Sequence, residues 1–164
     1  MPEKTLREDI RTREDEPVAA LKKKDWTLLV ISSAGRPVSP IQLQKSLFLL
    51  GQSLPEIVGS NFYRFEPYNY GPFNRTIYSD AETLAAEGLI EISRNPMQDW
   101  PEYRVSTTGL QRTEELKRQL DQETVVYVEN LVRWVTAQSF PNLLREIYSK
   151  FPAFAVNSVF KVEP

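Results

Sequence analysis

One segment in the middle of the chain places the strongest constraint on the fold, because an amphipathic helix there ends at a glycine that leads directly into a strand. Apolar residues recur at spacings of three and four between Phe73 and Ala85, which is typical of a helix with one buried face. Gly88 follows at the position where a left-handed residue ends a helix. Residues 89–93 then have the composition of a strand. The chain must therefore turn sharply at Gly88.

A β-hairpin is predicted to follow this turn. Residues 95–99 have the composition of a turn, and residues 103–106 that of a second strand. Thr107 or Thr108 can cap the helix that comes next. Apolar periodicity predicts two more helices, at about residues 123–138 and 141–151.

Two helices and a short strand are predicted on the N-terminal side. The first helix occupies residues 18–34, a stretch without glycine or proline. Ser39 followed by Pro40 predicts the N-cap and first turn of the second helix. The aromatic residues of segment 61–66 favour a strand, and Pro72 is well placed to begin the third helix.

This order of elements is that of a winged helix-turn-helix, in which the hairpin is the wing and the preceding helix reads DNA. The two ends of the hairpin resemble the corresponding junctions of bacterial winged-helix regulators, through Leu84-x-x-x-Gly88-Leu89-Ile90 and Tyr103-x-Val105-x-Thr107-x-x-Gly109. We therefore predict a mainly α fold with a small β wing: a winged helix-turn-helix core plus C-terminal helices. The predicted regions are a charged N-terminal arm at residues 1–16, a winged-helix domain at 17–122 and a C-terminal helical extension at 123–164.

Composition argues against most catalytic chemistry. The chain has no Cys and no His, so it lacks thiolate nucleophiles, imidazole bases and the usual zinc ligands. Neighbouring carboxylates such as Asp80 and Glu82 point to different faces of a helix. We predict a non-enzyme without catalytic residues, metal or cofactor. With no apolar run long enough for a membrane and a charged N-terminus, we expect a cytoplasmic protein with no membrane partner.

Residues 41–92 also carry a family resemblance. Three stretches bear it: Leu43-Gln44-Lys45-x-Leu47-Phe48-Leu49, Phe65-x-x-Tyr68-x-Tyr70-Gly71-Pro72-Phe73, and Leu84-x-x-x-Gly88-Leu89-Ile90. Together they resemble the Panacea domain family, whose members are associated with phage-encoded proteins and with antitoxins of toxin–antitoxin pairs. The resemblance implies a bacterial or phage-related neutralising or regulatory role. Its most distinctive part is the Tyr-x-Tyr-Gly-Pro turn.

A DNA-binding role would use the third predicted helix, the wing and the second helix. Asn and Arg side chains can form paired hydrogen bonds with adenine and guanine edges, and Lys can contact phosphates. The predicted DNA contacts are Lys45, Asn74, Arg75, Ser79, Arg94 and Arg104. Acidic residues on the third helix oppose this role, so the alternative is that its first-turn residues are simply solvated. The run Lys22-Lys23-Lys24 has the same two interpretations, phosphate contact or solvated helix face.

A protein-binding role would use the aromatic turn. Tyr68, Tyr70 and Phe73 are the predicted partner-binding residues, because aromatic side chains supply much of the energy of protein interfaces. The alternative is that most aromatic residues between Phe62 and Phe73 form a small core, with Tyr68 and Tyr70 as the exposed exceptions.

The helix predicted at residues 123–138 has two apolar stripes. Val125, Val128, Val132 and Val135 form one, which we interpret as a homodimerisation surface, and Tyr127, Leu131 and Trp134 form its neighbour. The alternative is that the helix is buried within one monomer.

Two hypotheses for function follow from the sequence. The first is a winged-helix transcriptional regulator or antitoxin-like factor that binds double-stranded DNA, as a dimer. The second is a protein-interaction module that recognises a toxin or phage protein without contacting nucleic acid.

Overall fold

The computed structural model of the protein describes residues 21–160. The predicted charged arm, residues 1–16, lies outside this range. Within it the fold is mainly helical with a small β component, as predicted. The helices are α1 Lys23–Ser33, α2 Pro40–Ser53, α3 Pro55–Val58, α4 Thr76–Ala86, α5 Thr107–Lys117, α6 Gln122–Ala137 and α7 Phe140–Lys150, and a 3-10 turn follows at Pro152–Ala155. The strands are β1 Glu66–Tyr68, β2 Gly71–Phe73, β3 Ile90–Arg94 and β4 Pro101–Val105.

Helix α1 lies at the centre of the protein. Six consecutive residues, from Trp26 to Ile31, are buried, so the helix has an interior environment on every side. Helices α2, α4, α5 and α6 and strand β4 all contact it. A helix of this kind forms only when its neighbours cover it, and most of the hydrophobic core is built around it.

The chain after α1 pairs with the second hairpin before it enters α2. Val38 exchanges two backbone hydrogen bonds with Tyr103 of β4, at 2.9 and 2.8 Å between nitrogen and oxygen. Ser39 then caps α2: its hydroxyl oxygen accepts from the Gln42 amide, and the Gln42 side chain accepts from the Ser39 amide. The predicted start of the second helix at Ser39 and Pro40 is confirmed.

The strand predicted at residues 61–66 is wrong. The strands in this region are β1 and β2, which form a tight antiparallel hairpin in which Pro67 lies opposite Pro72 and Tyr68 opposite Gly71. Tyr63 is buried and Phe65 is half-buried against the core. The aromatic residues before β1 therefore pack into the hydrophobic core and do not form a strand.

Helix α4 begins later than predicted. Pro72 is part of β2, and the helix starts at Thr76, whose amide donates to the Asn74 side chain at 2.8 Å. Pro72 cannot start the helix because its backbone is already paired with Pro67. A side chain that accepts from the amide two residues later is a common way to begin a helix or turn.

The end of α4 and the hairpin after it agree with the sequence. Gly88 has φ +78°, its amide donates to Ala85, and the Leu89 amide donates to Leu84 at 2.9 Å, which is the Schellman pattern. Strands β3 and β4 pair antiparallel, with Ile90 opposite Val105. The cap of α5 is Ser106, not Thr107 or Thr108.

The C-terminal helices pack on the same core. The prediction that the valine stripe of residues 123–138 forms a homodimer surface is therefore wrong. Val125, Val128, Val132 and Val135 are all buried within the monomer. Val128 and Val132 join the cluster around α1, and Val135 joins Phe48 and residues of α7 in a second cluster. The stripe faces inward because it is the most continuous apolar surface of α6. This was the alternative that the sequence left open.

Within residues 21–160, every helix falls short of the length and apolarity that a membrane crossing requires.

Gly109 gives a test of the junction between the second hairpin and α5. A Cβ atom at this position would overlap the Leu89 carbonyl oxygen, and it would lie 2.8 Å from a Val105 methyl group. Glycine to alanine inside a helix ordinarily stabilises a protein by about 0.5–1 kcal/mol. For Gly109→Ala we expect the opposite sign, a loss of at least about 2 kcal/mol in the free energy of unfolding measured with urea.

Gly35→Ala is the control for this measurement. Gly35 follows α1 and has φ +68°, but nothing lies within 4 Å of a Cβ atom there. Gly35→Ala should therefore lower the free energy of unfolding by only about 1 kcal/mol, the cost of holding alanine in a left-handed conformation. A stabilised Gly109→Ala variant would contradict the tight contact with Leu89.

Candidate functional site

The turn of the first hairpin displays two tyrosine side chains. Tyr68 is 50% exposed and Tyr70 is 46% exposed, as predicted for these two members of the aromatic group. Phe73 is half-buried and stacks on Tyr68, with ring centroids 4.9 Å apart and an interplanar angle of 26°. Phe73 therefore supports the Tyr68 ring from below and contributes less to the outer surface than predicted.

The exposed surface extends beyond the hairpin to helix α7. The ring of Phe140, at the start of α7, packs edge-on against Tyr70 with centroids 5.6 Å apart. Phe160 also packs edge-on against Phe140, with centroids 5.5 Å apart. We call Tyr68, Tyr70 and Phe140 the tyrosine surface. All three are exposed large hydrophobic residues, although they come from two distant parts of the sequence.

The C-terminal segment holds the tip of this hairpin. The Asn69 carbonyl accepts from the Val159 amide at 2.9 Å and from the Ser158 hydroxyl at 3.2 Å. The Ser158 hydroxyl also lies 2.6 Å from the Tyr148 hydroxyl of α7. The turn is therefore fixed to α7 and to the chain that follows it.

Lys45 holds the hairpin from inside the protein. Its side-chain nitrogen Nζ donates to the Pro72 carbonyl at 2.9 Å, and its side chain passes 3.7 Å from where a Cβ atom of Gly71 would stand. The Tyr148 ring approaches the same point to 3.1 Å, and Gly71 has φ +89°, so this position requires glycine. Lys45 is only 2% exposed, which corrects its prediction as a phosphate contact.

Burial also changes the acid–base behaviour of Lys45. Removal from water disfavours the ammonium form and lowers the pKa of Lys45 to about 7. A sequence gives no sign of this, because Lys is almost never fully buried. The residue acts here as a donor to backbone and not as a surface charge.

Asn74 is also taken out of the predicted DNA-contact set. Its amide nitrogen donates to the Arg64 carbonyl at 2.6 Å, and its amide oxygen accepts from Thr76. Its backbone forms two further bonds with the Gln44 side chain, at 2.9 and 2.7 Å. Both the nitrogen and the oxygen of the side-chain amide are therefore hydrogen-bonded within the protein, at the start of α4. The prediction that Asn74 contacts a base is wrong.

The outer face of α4 keeps Arg75 and Ser79 exposed, as a DNA-reading helix would require. Asp80, one of the acidic residues that oppose this role, is hydrogen-bonded to the buried Tyr63. Its carboxylate accepts from the Tyr63 hydroxyl at 2.5 Å, and Tyr63 also lies 2.7 Å from the Thr27 hydroxyl. Burial and this hydrogen bond raise the pKa of Tyr63.

The two predicted wing contacts lie on opposite faces of the second hairpin. Arg94 lies on the same face of β3 as Ile90 and Ile92, four and two residues before it. Arg104 pairs with Glu91, so it lies on the opposite face. On its face Arg94 lies near the buried Tyr103. Burial raises the pKa of Tyr103 to about 12, and the positive charge of Arg94 partly opposes this rise. Both arginines are exposed, but they cannot contact one phosphate backbone together from the same face.

The basic run Lys22-Lys23-Lys24 makes contacts with other residues on the surface of the same chain. Lys24 pairs with Glu87 at 3.1 Å, and the Lys23 ammonium lies 5.4 Å from the centre of the Tyr63 ring. These contacts match the interpretation of the run as a solvated helix face.

Sequence reasoning missed the residues that complete and support the tyrosine surface. Phe140, Tyr148 and Ser158 lie far along the chain from the turn, and no local motif connects them to it. The one available signal is the run of apolar residues after Pro152, which is typical of a segment that packs against the rest of the protein.

Comparison of the chain with protein-family models, with curated proteins and with solved structures finds no match. The functional proposals therefore depend on the residues and contacts described above.

The buried amine of Lys45 predicts a specific dependence of stability on pH. Lysine in an unfolded chain has a pKa near 10.5, so between about pH 7 and pH 10 the unfolded chain binds a proton that the folded protein does not. This group makes the free energy of unfolding rise with pH in that window, by up to about 1.4 kcal/mol per pH unit. Lys45→Met should remove this rise.

The measurement is urea unfolding of both proteins at pH 7.5 and 9.5. The wild type should gain about 2 kcal/mol relative to Lys45→Met between these two values. Lys150→Met, which removes an exposed amine, should keep the slope of the wild type. Equal slopes for the wild type and Lys45→Met would contradict a neutral buried amine.

Proposed function

We propose that the protein is a protein-binding module of the antitoxin type and that its partner covers the tyrosine surface. The observation that carries this proposal is the pair of half-exposed tyrosines on a hairpin turn that is held in place from several sides. Aromatic side chains of this kind offer a large apolar area with a polar tip, and they dominate the energy of many protein interfaces.

The support beneath the turn lowers the cost of binding. A mobile loop must be ordered when a partner binds, at a cost for each side chain that becomes fixed. Here Phe73 stacks on Tyr68 and Phe140 packs against Tyr70, so the rings are held before any partner arrives. A rigid, exposed aromatic pair favours recognition of a folded surface with a complementary apolar recess.

The changes in the DNA-contact set favour the same conclusion. Lys45 is interior and the Asn74 side chain is occupied. Two of the six predicted contacts are thereby lost, and the two wing arginines face different directions. A DNA-binding protein with a net charge of −2 depends on a local basic surface, and this set no longer supplies one.

The resemblance to the Panacea family suggests the kind of partner. Its most distinctive stretch, Tyr68-x-Tyr70-Gly71-Pro72, is the hairpin turn that carries the tyrosine surface. That family implies a toxin or a phage protein as the partner. We extend this implication to the present chain as part of the proposal.

Tyr70→Ala tests this function. The wild-type protein, immobilised and exposed to an extract of its own cells, should retain a partner that Tyr70→Ala loses. Titration of that purified partner should then give an affinity at least about tenfold lower for the variant, because a central aromatic contact is removed. The affinity should change little between about 50 and 200 mM salt.

Trp100→Ala is the matched control, since Trp100 is an aromatic residue of similar exposure in the turn of the second hairpin, outside the tyrosine surface. It should bind the partner as the wild type does. Equal affinities for the wild type and Tyr70→Ala would place the partner elsewhere and defeat the proposal.

A second candidate function is DNA binding by a winged-helix core, and the Val38–Tyr103 pairing favours it. This pairing adds a third short β element beside β4, in the position that a winged helix uses between its first two helices. Arg75 and Ser79 are exposed at the start of α4, the helix that would read DNA. The connection between α2 and α4 differs from that of a helix-turn-helix. Residues 54–75, which include the first hairpin, take the place of its short turn.

Salt dependence separates this candidate from the first. If α4 and the wing bind duplex DNA, Arg75→Ala and Arg94→Ala should each weaken binding and reduce the slope of log affinity against log salt by about one, because each removes one positive charge from the interface. Fluorescence anisotropy with a labelled duplex at about 50 and 200 mM salt measures this slope. Absence of binding at the lower salt concentration would exclude the DNA-binding candidate.

A further inference from the structure

Helix α6 has a second apolar face, which remains on the surface after its valine stripe is buried. Val126 is 42% exposed, Tyr127 is 40% exposed and Trp134 is 38% exposed. Val126, Tyr127 and Asn130 also line a shallow groove on this side of the helix. Large apolar side chains that are grouped along one exposed helix face indicate a binding surface.

Asn130 lies at the centre of this face. Val126 precedes Asn130 by four positions and Trp134 follows it by four, while Tyr127 precedes it by three and Arg133 follows it by three. All of them lie on one side of the helix, because residues three and four apart share a face. When such a helix meets an antiparallel copy of itself, each residue on one side of the centre faces its counterpart.

We propose that the outer face of α6 binds α6 of a second copy of this chain, antiparallel, about a twofold axis at Asn130. Val126 then packs on Trp134 of the other copy, and Tyr127 faces its Arg133. The two Asn130 side chains meet at the axis, where each amide can donate to the other. This surface differs from the tyrosine surface, so the proposal stands independently of the function proposed above.

Charge supports the antiparallel orientation. A guanidinium over a tyrosine ring is an attractive pair, and antiparallel helices also align their dipoles favourably. A parallel pair would instead place Arg133 against Arg133 and Glu123 against Glu123. Among residues 21–160, neither Arg133 nor Glu123 takes part in a salt bridge within the monomer. Both charges are therefore available to a second chain.

The size of the surface predicts a reversible dimer. Helix α6 has 16 residues and is about 24 Å long. A contact centred on one helix per subunit lies at the low end of the ~1,200–2,000 Å² that stable interfaces bury. We therefore expect a concentration-dependent equilibrium between monomer and dimer, with a dissociation constant on the order of micromolar.

Sedimentation velocity at protein concentrations from about 5 to 300 µM tests the dimer. The wild type should shift from monomer to dimer across this range. Asn130→Asp should weaken the dimer at least about tenfold at neutral pH, because it brings two carboxylates together at the axis without changing the shape of the side chain. Asn61→Asp, the same change at an exposed position outside α6, should have no effect. A wild type that stays monomeric at the highest concentration overturns the proposal.

The absence of cysteine from the chain allows a direct test of orientation. A disulfide needs Cα atoms about 4.4–6.8 Å apart, so Asn130→Cys should cross-link two copies at the axis. Val126→Cys alone should not, because the two Val126 positions stand about 12 Å apart along antiparallel helices. A mixture of Val126→Cys and Trp134→Cys should form the cross-linked heterodimer. Rapid self-cross-linking of Val126→Cys would show parallel pairing and refute the antiparallel arrangement.

Discussion

Burial of helix α1 over the six residues from Trp26 to Ile31 is the constraint on which the other elements depend. Because Trp26 to Ile31 leave no side of the helix polar, the protein must surround it with elements that each have an apolar face. Helices α2, α4, α5 and α6 and strand β4 meet this requirement together. The C-terminal helices thereby belong to the same core, and the first hairpin is left outside it, supported from below by α2 and from the side by α7.

The support of the first hairpin costs stability, and this links its energetics to its proposed role. An amine buried without a carboxylate partner is an unfavourable group, as the low pKa of Lys45 indicates. The same amine holds the Pro72 carbonyl, while Tyr148 leaves room only for glycine at position 71. A protein that needed only to fold would gain from an apolar residue at position 45. The lysine at this position instead fixes the shape of the turn, through its hydrogen bond to the Pro72 carbonyl.

Local signals in the sequence located the elements whose ends depend on neighbouring residues. Ser39 and Pro40 start α2, and Gly88 ends α4, because caps and left-handed turns are set by a few adjacent residues. The positions of β1 and β2, the burial of Lys45 and the inward direction of the valine stripe depend on contacts between distant segments. The exposed tyrosines were predicted from the turn itself, but Phe140 was not, since only the folded chain brings α7 beside it.

The paired prolines of the first hairpin restrict how a partner can attach to it. Pro67 and Pro72 face each other in the ladder, and neither has a backbone N–H to offer to a strand on the outer side. Their carbonyl groups are occupied as well, by the Asn157 side chain and by Lys45. Both edges of this small sheet are therefore closed to the addition of another strand, which also protects the hairpin from edge-to-edge aggregation. Recognition at this site must proceed through side chains.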